Sequence, residues 1–334
     1  MISRKAIYIL SPIILLVVAY LLGPNPDAPN YRFVLPEVPA AATELEQYVA
    51  NREAEHKLKP DNEARIVWND SSKQKTEYAV VYLPGFSASH KEGDPVHTKL
   101  ANDFGCNLFL ARLADHGIDT VEVLLNFTAE RFWNSAMEAL AIGNQLGGKV
   151  ILVSTSTGGT VALMLAAKFP DKVHALVNLS PNIAPRDPRA FLLNNPWGLQ
   201  IARAVMGGNY REWIADPERM KYWNNKYRIE SLVQLEELVE TTMTEETFAK
   251  VKQPVLTLYY YKNENEQDPE VSVEAMLNMH KLLGTEESMK IAVAMPNVGA
   301  HVIGSSMTSK DLEGVYLEMV KFVEGKLGMK GRAE

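Results

Sequence analysis

The chain has 334 residues, of which 41 are acidic and 34 are basic, and its formal net charge is −7. The charges are spread along the sequence and form no cationic face for phosphates, so nucleic acid is not an expected partner. A hydrophobic content of 46% is typical of a globular core and excludes a disordered protein.

Residues 1–22 have the features of a targeting or anchoring segment. Arg4 and Lys5 precede a nearly uncharged stretch from Ala6 to Leu22. As a helix this stretch covers about 25 Å, which is shorter than a bilayer core but longer than a usual signal-peptide core. We interpret it as an uncleaved signal anchor, with a cleaved signal peptide and a buried helix as alternatives. The basic flank then predicts the membrane as a partner and an extracytoplasmic catalytic domain, either periplasmic or lumenal/extracellular.

Prolines dominate the segment from residue 23 to residue 42. They disfavour regular structure and predict a stiff tether between the first segment and the folded domain. The tether contains Pro24, Pro26, Pro29, Pro36 and Pro39. We therefore expect the folded domain to begin near residue 43.

From residue 65 onward, short apolar runs alternate with helical patterns. The predicted strands are "RIVW", "YAVVYLP", "CNLFLARL", "KVILVST", "VHALVNLS", "PVLTLYYY" and "MKIAVAM". Helical spacing of apolar residues predicts helices over 129–147, 157–169, 270–283 and 312–323. The single cysteine, Cys106, lies in one strand run, cannot form an intramolecular disulfide, and is predicted to be a buried thiol.

Alternation of apolar strands with helices predicts an α/β fold with a mostly parallel sheet flanked by helices. The alternation stops between residues 182 and 250. This stretch is charged, helical in pattern and rich in aromatic residues, and it contains Trp197, Trp213 and Trp223. We predict a helical cap over 182–250, inserted after the sixth strand, and a core made of 43–181 and 251–334. The three tryptophans are candidate substrate-binding residues, although packing within the cap is the alternative.

Ser156 stands where an apolar strand run gives way to a helix, in "VSTSTGG". Ligands of α/β sheets gather at the carboxyl ends of strands. A serine in a tight strand-to-helix turn is exposed for reaction only when the residues two positions away are small. Ser154 and Gly158 meet that condition, so Ser156 is a candidate nucleophile. The alternative is an ordinary helix cap.

A serine hydroxyl needs a base to remove its proton and a carboxylate to orient that base. In this type of fold the order along the chain is serine, acid, histidine. His301 follows the last predicted strand in a loop containing glycine and asparagine, which favours it as the base. The other histidines precede Ser156 or lie in a strand or a helix: His56, His90, His97, His116, His174 and His280.

The acid is expected in the loop after "PVLTLYYY". Asp268, followed by Pro269, is the preferred candidate because it best fits the triad order. Glu264, Glu266 and Asp187 remain competing candidates.

An oxyanion also requires donors, which are main-chain amides in this architecture. We expect one from Thr157, directly after the serine, and one from Phe86 in "PGFSAS". Gly85 allows the second loop to turn close to the substrate.

The segments "YLPGFSAS", "LARLADHG", "VSTSTGGTVALMLAA", "PVLTLYYY…QDPEVSV" and "NVGAHVIGS" resemble α/β-hydrolase serine esterases, and most of all the monoacylglycerol lipase and carboxylesterase group. The resemblance covers about residues 65–325. It implies an α/β-hydrolase fold, a Ser156, Asp268 and His301 triad, oxyanion amides at Phe86 and Thr157, no cofactor, and a lid over an acyl pocket. Two positions depart from the family. Pro84 replaces the usual histidine, and Ser154 replaces the first glycine of the serine motif.

The sequence thus predicts a serine hydrolase that cleaves carboxylic esters, with a small-molecule ester or lipid as substrate. Thioesterase, peptidase or acyltransferase chemistry on the same residues is an alternative. A tethered binding protein without activity is another, because two motif positions depart from the family. No nucleotide or metal motif is present, so neither a cofactor nor a metal is expected.

Overall fold

The computed structural model describes residues 4–214 and 216–332. A seven-stranded sheet forms its centre, with the strand order β1-β3-β2-β4-β5-β8-β11. All neighbours pair in parallel except β1 and β3, which are antiparallel. The sheet strands are β1 (Arg65–Val67), β2 (Thr76–Leu83), β3 (Asn107–Leu110), β4 (Gly147–Thr155), β5 (Ala175–Leu179), β8 (Val255–Tyr259) and β11 (Lys290–Ala294). The predicted mostly parallel sheet is confirmed.

Helices cover both faces of this sheet. The chain contains α1 (Arg4–Leu21), α2 (Ala42–Ala54), α3 (Val96–Asp103), α4 (Ala129–Leu146), α5 (Thr157–Lys168), α6 (Gly198–Met206), α7 (Pro217–Met220), α8 (Glu230–Thr242), α9 (Glu245–Lys250), α10 (Val273–Leu282) and α11 (Leu312–Leu327). Two small antiparallel pairs of strands lie outside the central sheet: β6 (Tyr210–Glu212) with β7 (Lys226–Arg228), and the hairpin of β9 (Tyr261–Asn263) with β10 (Glu266–Gln267).

The sheet separates two apolar cores. Because side chains alternate along a strand, Ala79 and Val81 of β2 face one core while Val80 and Tyr82 face the other. The first core is closed by α4, α5, α8 and α10, and the second by α3 and α11. Burial on both faces explains why the central strands are apolar throughout. Cys106 is buried beside β3, as predicted, and burial raises its pKa to about 12.

The stretch 182–250 leaves the sheet after β5 and returns at β8. It therefore follows the fifth strand of the chain and not the sixth, because a single strand, β1, precedes β2. It contains α6 to α9 and the antiparallel pair of β6 and β7.

The N-terminal segment forms helix α1, which ends at Leu21, while residues 1–3 lie outside the described part. No helix within the described ranges combines the length and apolarity needed to cross a membrane. The predicted anchor helix is thus not supported, and the extracytoplasmic location stays a prediction.

Residues 23–41 of the proline-rich segment contain neither helix nor strand, and the segment contacts the folded domain. Tyr31, Leu35 and Val38 pack partly buried against the first core. The Trp133 indole donates a hydrogen bond to the Arg32 carbonyl over 2.6 Å. These contacts order part of the predicted tether along the domain surface.

Candidate active site

Ser156 occupies the sharp turn between β4 and α5. Its backbone angles are φ 52° and ψ −121°, in a region that residues with a side chain rarely adopt. The turn is closed by hydrogen bonds from the Gly159 and Asn182 amides to the Ser156 carbonyl, at 2.8 and 2.9 Å. Strain of this kind is a feature of functional turns.

Small neighbours make this turn possible. A Cβ atom on Gly158 would lie 2.0 Å from the Leu83 carbonyl oxygen, so only glycine fits between α5 and β2. Ser154 is fully buried, and its hydroxyl donates a 2.9 Å hydrogen bond to Asn178 Oδ1. The serine that replaces the usual glycine is therefore accommodated by a polar partner on the neighbouring strand.

His301 and Asp268 form a hydrogen-bonded pair at the carboxyl edge of the sheet. His301 Nδ1 lies 2.7 Å from Asp268 Oδ2, and the Asp268 side chain is fully buried. The other carboxylate oxygen of Asp268 accepts hydrogen bonds from the Glu270 and Val271 amides, at 2.9 and 3.0 Å. These contacts fix the carboxylate and leave the far nitrogen of His301 for another partner.

Each member of the pair of His301 and Asp268 stabilises the charged form of the other. Burial by itself lowers the pKa of His301, but the charge of Asp268 and its hydrogen bond outweigh that effect, and the pKa is raised. Burial raises the pKa of Asp268, but the charge of His301 and the hydrogen bonds to the carboxylate outweigh it, and this pKa is lowered. Asp268 is thus ionised at neutral pH, as an orienting carboxylate must be.

The three competing acids lie elsewhere. Asp187 is half exposed and pairs with Arg189 at 2.7 Å. Glu264 accepts a hydrogen bond from the Tyr261 hydroxyl, and Glu266 pairs with Lys262, both on the exposed hairpin of β9 and β10. The structure thus brings only Asp268, of the four candidates, to His301.

Ser156 and His301 line the same cavity, which has a volume of about 580 Å³. Within the described ranges, neither Ser156 Oγ nor His301 Nε2 makes a hydrogen bond. Such contacts are often long before substrate binds. A cavity of this size accommodates a small organic ligand.

Phe86 and Thr157 also line the cavity. Neither main-chain amide donates a hydrogen bond within the described part of the chain. The Phe86 ring makes edge contacts with His116, Phe127 and Tyr227, with centroids 5.2 to 5.8 Å apart. This aromatic cluster holds the Phe86 ring in the loop after β2, which borders the same cavity as Ser156.

The three candidate tryptophans of the 182–250 stretch differ in whether they line the cavity. Trp213 and Trp223 line the cavity. Trp197 is not among the residues that line it, and its role as a substrate-binding residue stays a prediction. Its indole donates to the Ala19 carbonyl over 3.0 Å, and its left-handed backbone, at φ 66°, begins α6. The ring is thereby held against the end of α1.

Sequence reasoning missed Glu92, which lines the cavity near the loop after β2. It lies in a short 3₁₀ helix, His90–Gly93, and is 2% exposed. Its carboxylate accepts hydrogen bonds from the Gly85 amide, at 2.5 Å, and from the Tyr82 hydroxyl, at 3.4 Å. Glu92 thus supports the loop at Gly85, next to Pro84, which has no amide hydrogen. Its polar surroundings in the sequence, "SHKEGD", gave no signal of burial.

Burial raises the pKa of Glu92 to about 7, and this has a measurable consequence. The folded protein holds a proton here that the unfolded chain has already lost, so stability falls as pH rises from about 4.5 to about 7. We expect wild type to lose up to about 3 kcal/mol relative to Glu92→Gln across this range. Urea unfolding of both proteins at several pH values measures the difference, with Glu77→Gln, on the surface, as the matched control. A constant difference would show that Glu92 does not titrate in this window.

A family model for the alpha/beta hydrolase family matches residues 80–309 of the chain. The chain belongs to the alpha/beta hydrolase family. No curated protein matches this hydrolase in a sequence comparison. The described residues contain no cluster of histidine, cysteine, aspartate and glutamate that could hold a metal ion.

Solved structures share the fold of this hydrolase at low sequence identity. A structure from the work on LipS and LipT, two metagenome-derived lipolytic enzymes, has a TM-score of 0.64 and 16% identity, over 80% of this chain and 100% of that one. The monoacylglycerol lipase of Paleococcus ferrophilus has a TM-score of 0.58 and 15% identity, over 79% and 98%. A soluble variant of the Saccharomyces cerevisiae monoglyceride lipase has a TM-score of 0.58 and 13% identity, over 81% and 92%. These similarities confirm the α/β-hydrolase fold.

Proposed function

We propose that this hydrolase cleaves carboxylic esters through an acyl-enzyme formed on Ser156. The observation that carries the proposal is the 2.7 Å contact between His301 and the buried Asp268, in the loops that border the cavity of Ser156. In this proposal His301 serves as the base for the Ser156 hydroxyl, and Asp268 orients that base. The similarity to lipolytic enzymes and monoacylglycerol lipases supports ester bonds as the target.

The reaction follows from the roles of these groups. Ser156 Oγ attacks the ester carbonyl carbon while His301 Nε2 takes the hydroxyl proton, and Asp268 stabilises the resulting imidazolium. The carbonyl oxygen becomes an oxyanion, which the Phe86 and Thr157 amides bind. His301 then gives its proton to the leaving alcohol. Water then attacks the carbonyl carbon of the acyl-enzyme while His301 Nε2 takes a proton from it. His301 returns that proton to Ser156 Oγ as the carboxylic acid leaves.

The substrate is proposed to bind beneath a cap formed by residues 182–250. Much of the cavity wall comes from this stretch, and its apolar part suits an acyl or alkyl group. The apolar lining from the stretch comprises Pro185, Ala190, Leu193, Trp213, Trp223, Tyr227, Leu232 and Leu235.

Covalent labelling tests the proposal directly. A fluorophosphonate phosphonylates an activated serine, because its phosphorus centre mimics the attacked carbonyl. We expect one adduct per chain, located on Ser156 by mass spectrometry of the digested protein, together with turnover of p-nitrophenyl butyrate. Protein unfolded in urea is the control and should remain unlabelled. An unlabelled folded protein, or an adduct on a different residue, would contradict the proposal.

A further inference from the structure

Arg219 lines the cavity of Ser156. Within the described ranges, no carboxylate oxygen lies within 4.0 Å of its guanidinium. Its Nε is buried and forms no hydrogen bond. A buried donor without an acceptor is costly. An acceptor supplied by a ligand would remove that cost.

Two tryptophans fix the position of this guanidinium. Its central carbon lies 4.8 Å from the Trp213 ring centroid and 5.1 Å from the Trp223 ring centroid. Arginine stacks well on aromatic faces, and its hydrogen-bond donors then point outward in the plane of the group. These contacts with the two rings order the Arg219 side chain before any ligand binds, so less conformational entropy is lost on binding.

A second arginine, Arg211, lines the same cavity and also forms no ion pair within the described residues. Three carboxyl groups share the cavity with the two arginines. Burial raises the pKa of Glu92 and of Glu236 to about 7, so both are partly protonated at neutral pH. Glu270 is exposed.

Acidic groups act on Arg219 only from a distance. Burial lowers the pKa of Arg219, while the charges of Glu92, Asp216 and Glu270 act in the opposite direction and raise it. Because no carboxylate oxygen among the described residues lies within 4.0 Å of either guanidinium, both arginines keep hydrogen-bond donors for a ligand.

We propose that Arg219, with Arg211, binds an anionic oxygen group of the substrate, so that the preferred esters carry a carboxylate or a phosphate away from the scissile bond. This inference rests on the proposed function and names its substrate class. Both anions present oxygen pairs that match the planar donor fork of a guanidinium. The apolar walls then hold the carbon chain between the anion and the ester.

Matched esters test the subsite. The first pair is mono-p-nitrophenyl suberate and its neutral methyl ester, in which the anion lies on the acyl side of the scissile bond. The second pair is 4-acetoxybenzoate and its neutral methyl ester, in which the anion lies on the leaving group. We expect Arg219→Gln to lower the ratio of kcat/KM for the anionic ester over the neutral one by about 10- to 100-fold in at least one pair. The two esters of a pair differ in intrinsic reactivity, but this difference is the same for wild type and variant and cancels when their ratios are compared. Adding 4-acetoxyphenyl phosphate shows whether phosphate or carboxylate is preferred.

Arg189→Gln is the matched control, because it removes the same charge from an exposed arginine outside the cavity, and its ratio should equal that of wild type. Titration calorimetry with suberate measures anion binding without turnover, and Arg219→Gln should weaken it by about 10-fold or more. An unchanged ratio in both pairs together with unchanged suberate binding would overturn the inference. If no ester is hydrolysed, the proposed function fails, while suberate binding still decides the anion site.

Discussion

Replacing Ser156 with alanine is expected to lower kcat/KM for p-nitrophenyl butyrate by at least about 10⁴-fold. The Ser156 hydroxyl is the group that forms the acyl-enzyme in the proposed reaction. Alanine has no such group, so water would have to attack the ester directly. Initial rates of both proteins, followed through nitrophenolate release, measure the change.

Ser154→Gly is the matched control for this substitution. It removes a hydroxyl two residues away that is buried against Asn178 and does not line the cavity. We expect the variant to keep most of the wild-type rate, with circular dichroism verifying that both variants are folded. Equally slow hydrolysis by wild type and Ser156→Ala would favour a binding protein without activity on a hydrolase fold.

Asp268→Asn is expected to lower kcat by about 10³- to 10⁴-fold. The amide keeps the size of the side chain but removes the charge that stabilises protonated His301. Asp187→Asn is the control, because Asp187 is exposed and pairs with Arg189. A similar loss in both variants, or none in Asp268→Asn, would exclude Asp268 as the orienting acid.

The dependence of kcat/KM on pH provides a second test of Asp268→Asn. His301 must be neutral to act as a base, and Asp268 raises its pKa above the ordinary value of 6.5. For wild type, kcat/KM should therefore fall on the acid side with a midpoint above pH 6.5. Asp268→Asn removes the two largest influences that raise this pKa and leaves burial, which lowers it, together with the charges of Glu92 and Glu270. The midpoint should therefore move to lower pH.

The fold was predictable because its strands are buried on both faces. A strand such as β4 must then be apolar throughout, and that pattern is visible in the sequence without any contact information. Ser156 was predictable for a related reason, since the close approach of α5 to β2 restricts Gly158 to a residue without a side chain.

The choice of acid and the cavity lining were harder to predict. Asp268, Glu264 and Glu266 lie in one polar loop, and only the path of the β9 and β10 hairpin decides which of them is buried against His301. Glu92 and Arg219 gave no signal either, because a charged residue in a polar stretch is ordinarily solvent-exposed. Their burial depends on contacts with segments distant in sequence.

The hydrogen bond between Ser154 and Asn178 gives a buried polar partner to the side chain that stands two residues before Ser156, where the expected motif has glycine. The two positions are register partners on β4 and β5. They therefore form one buried polar pair across two neighbouring strands. A motif search that demands glycine two residues ahead of the nucleophile would pass over this chain, whereas one that accepts any small residue with a polar cross-strand partner would retain it.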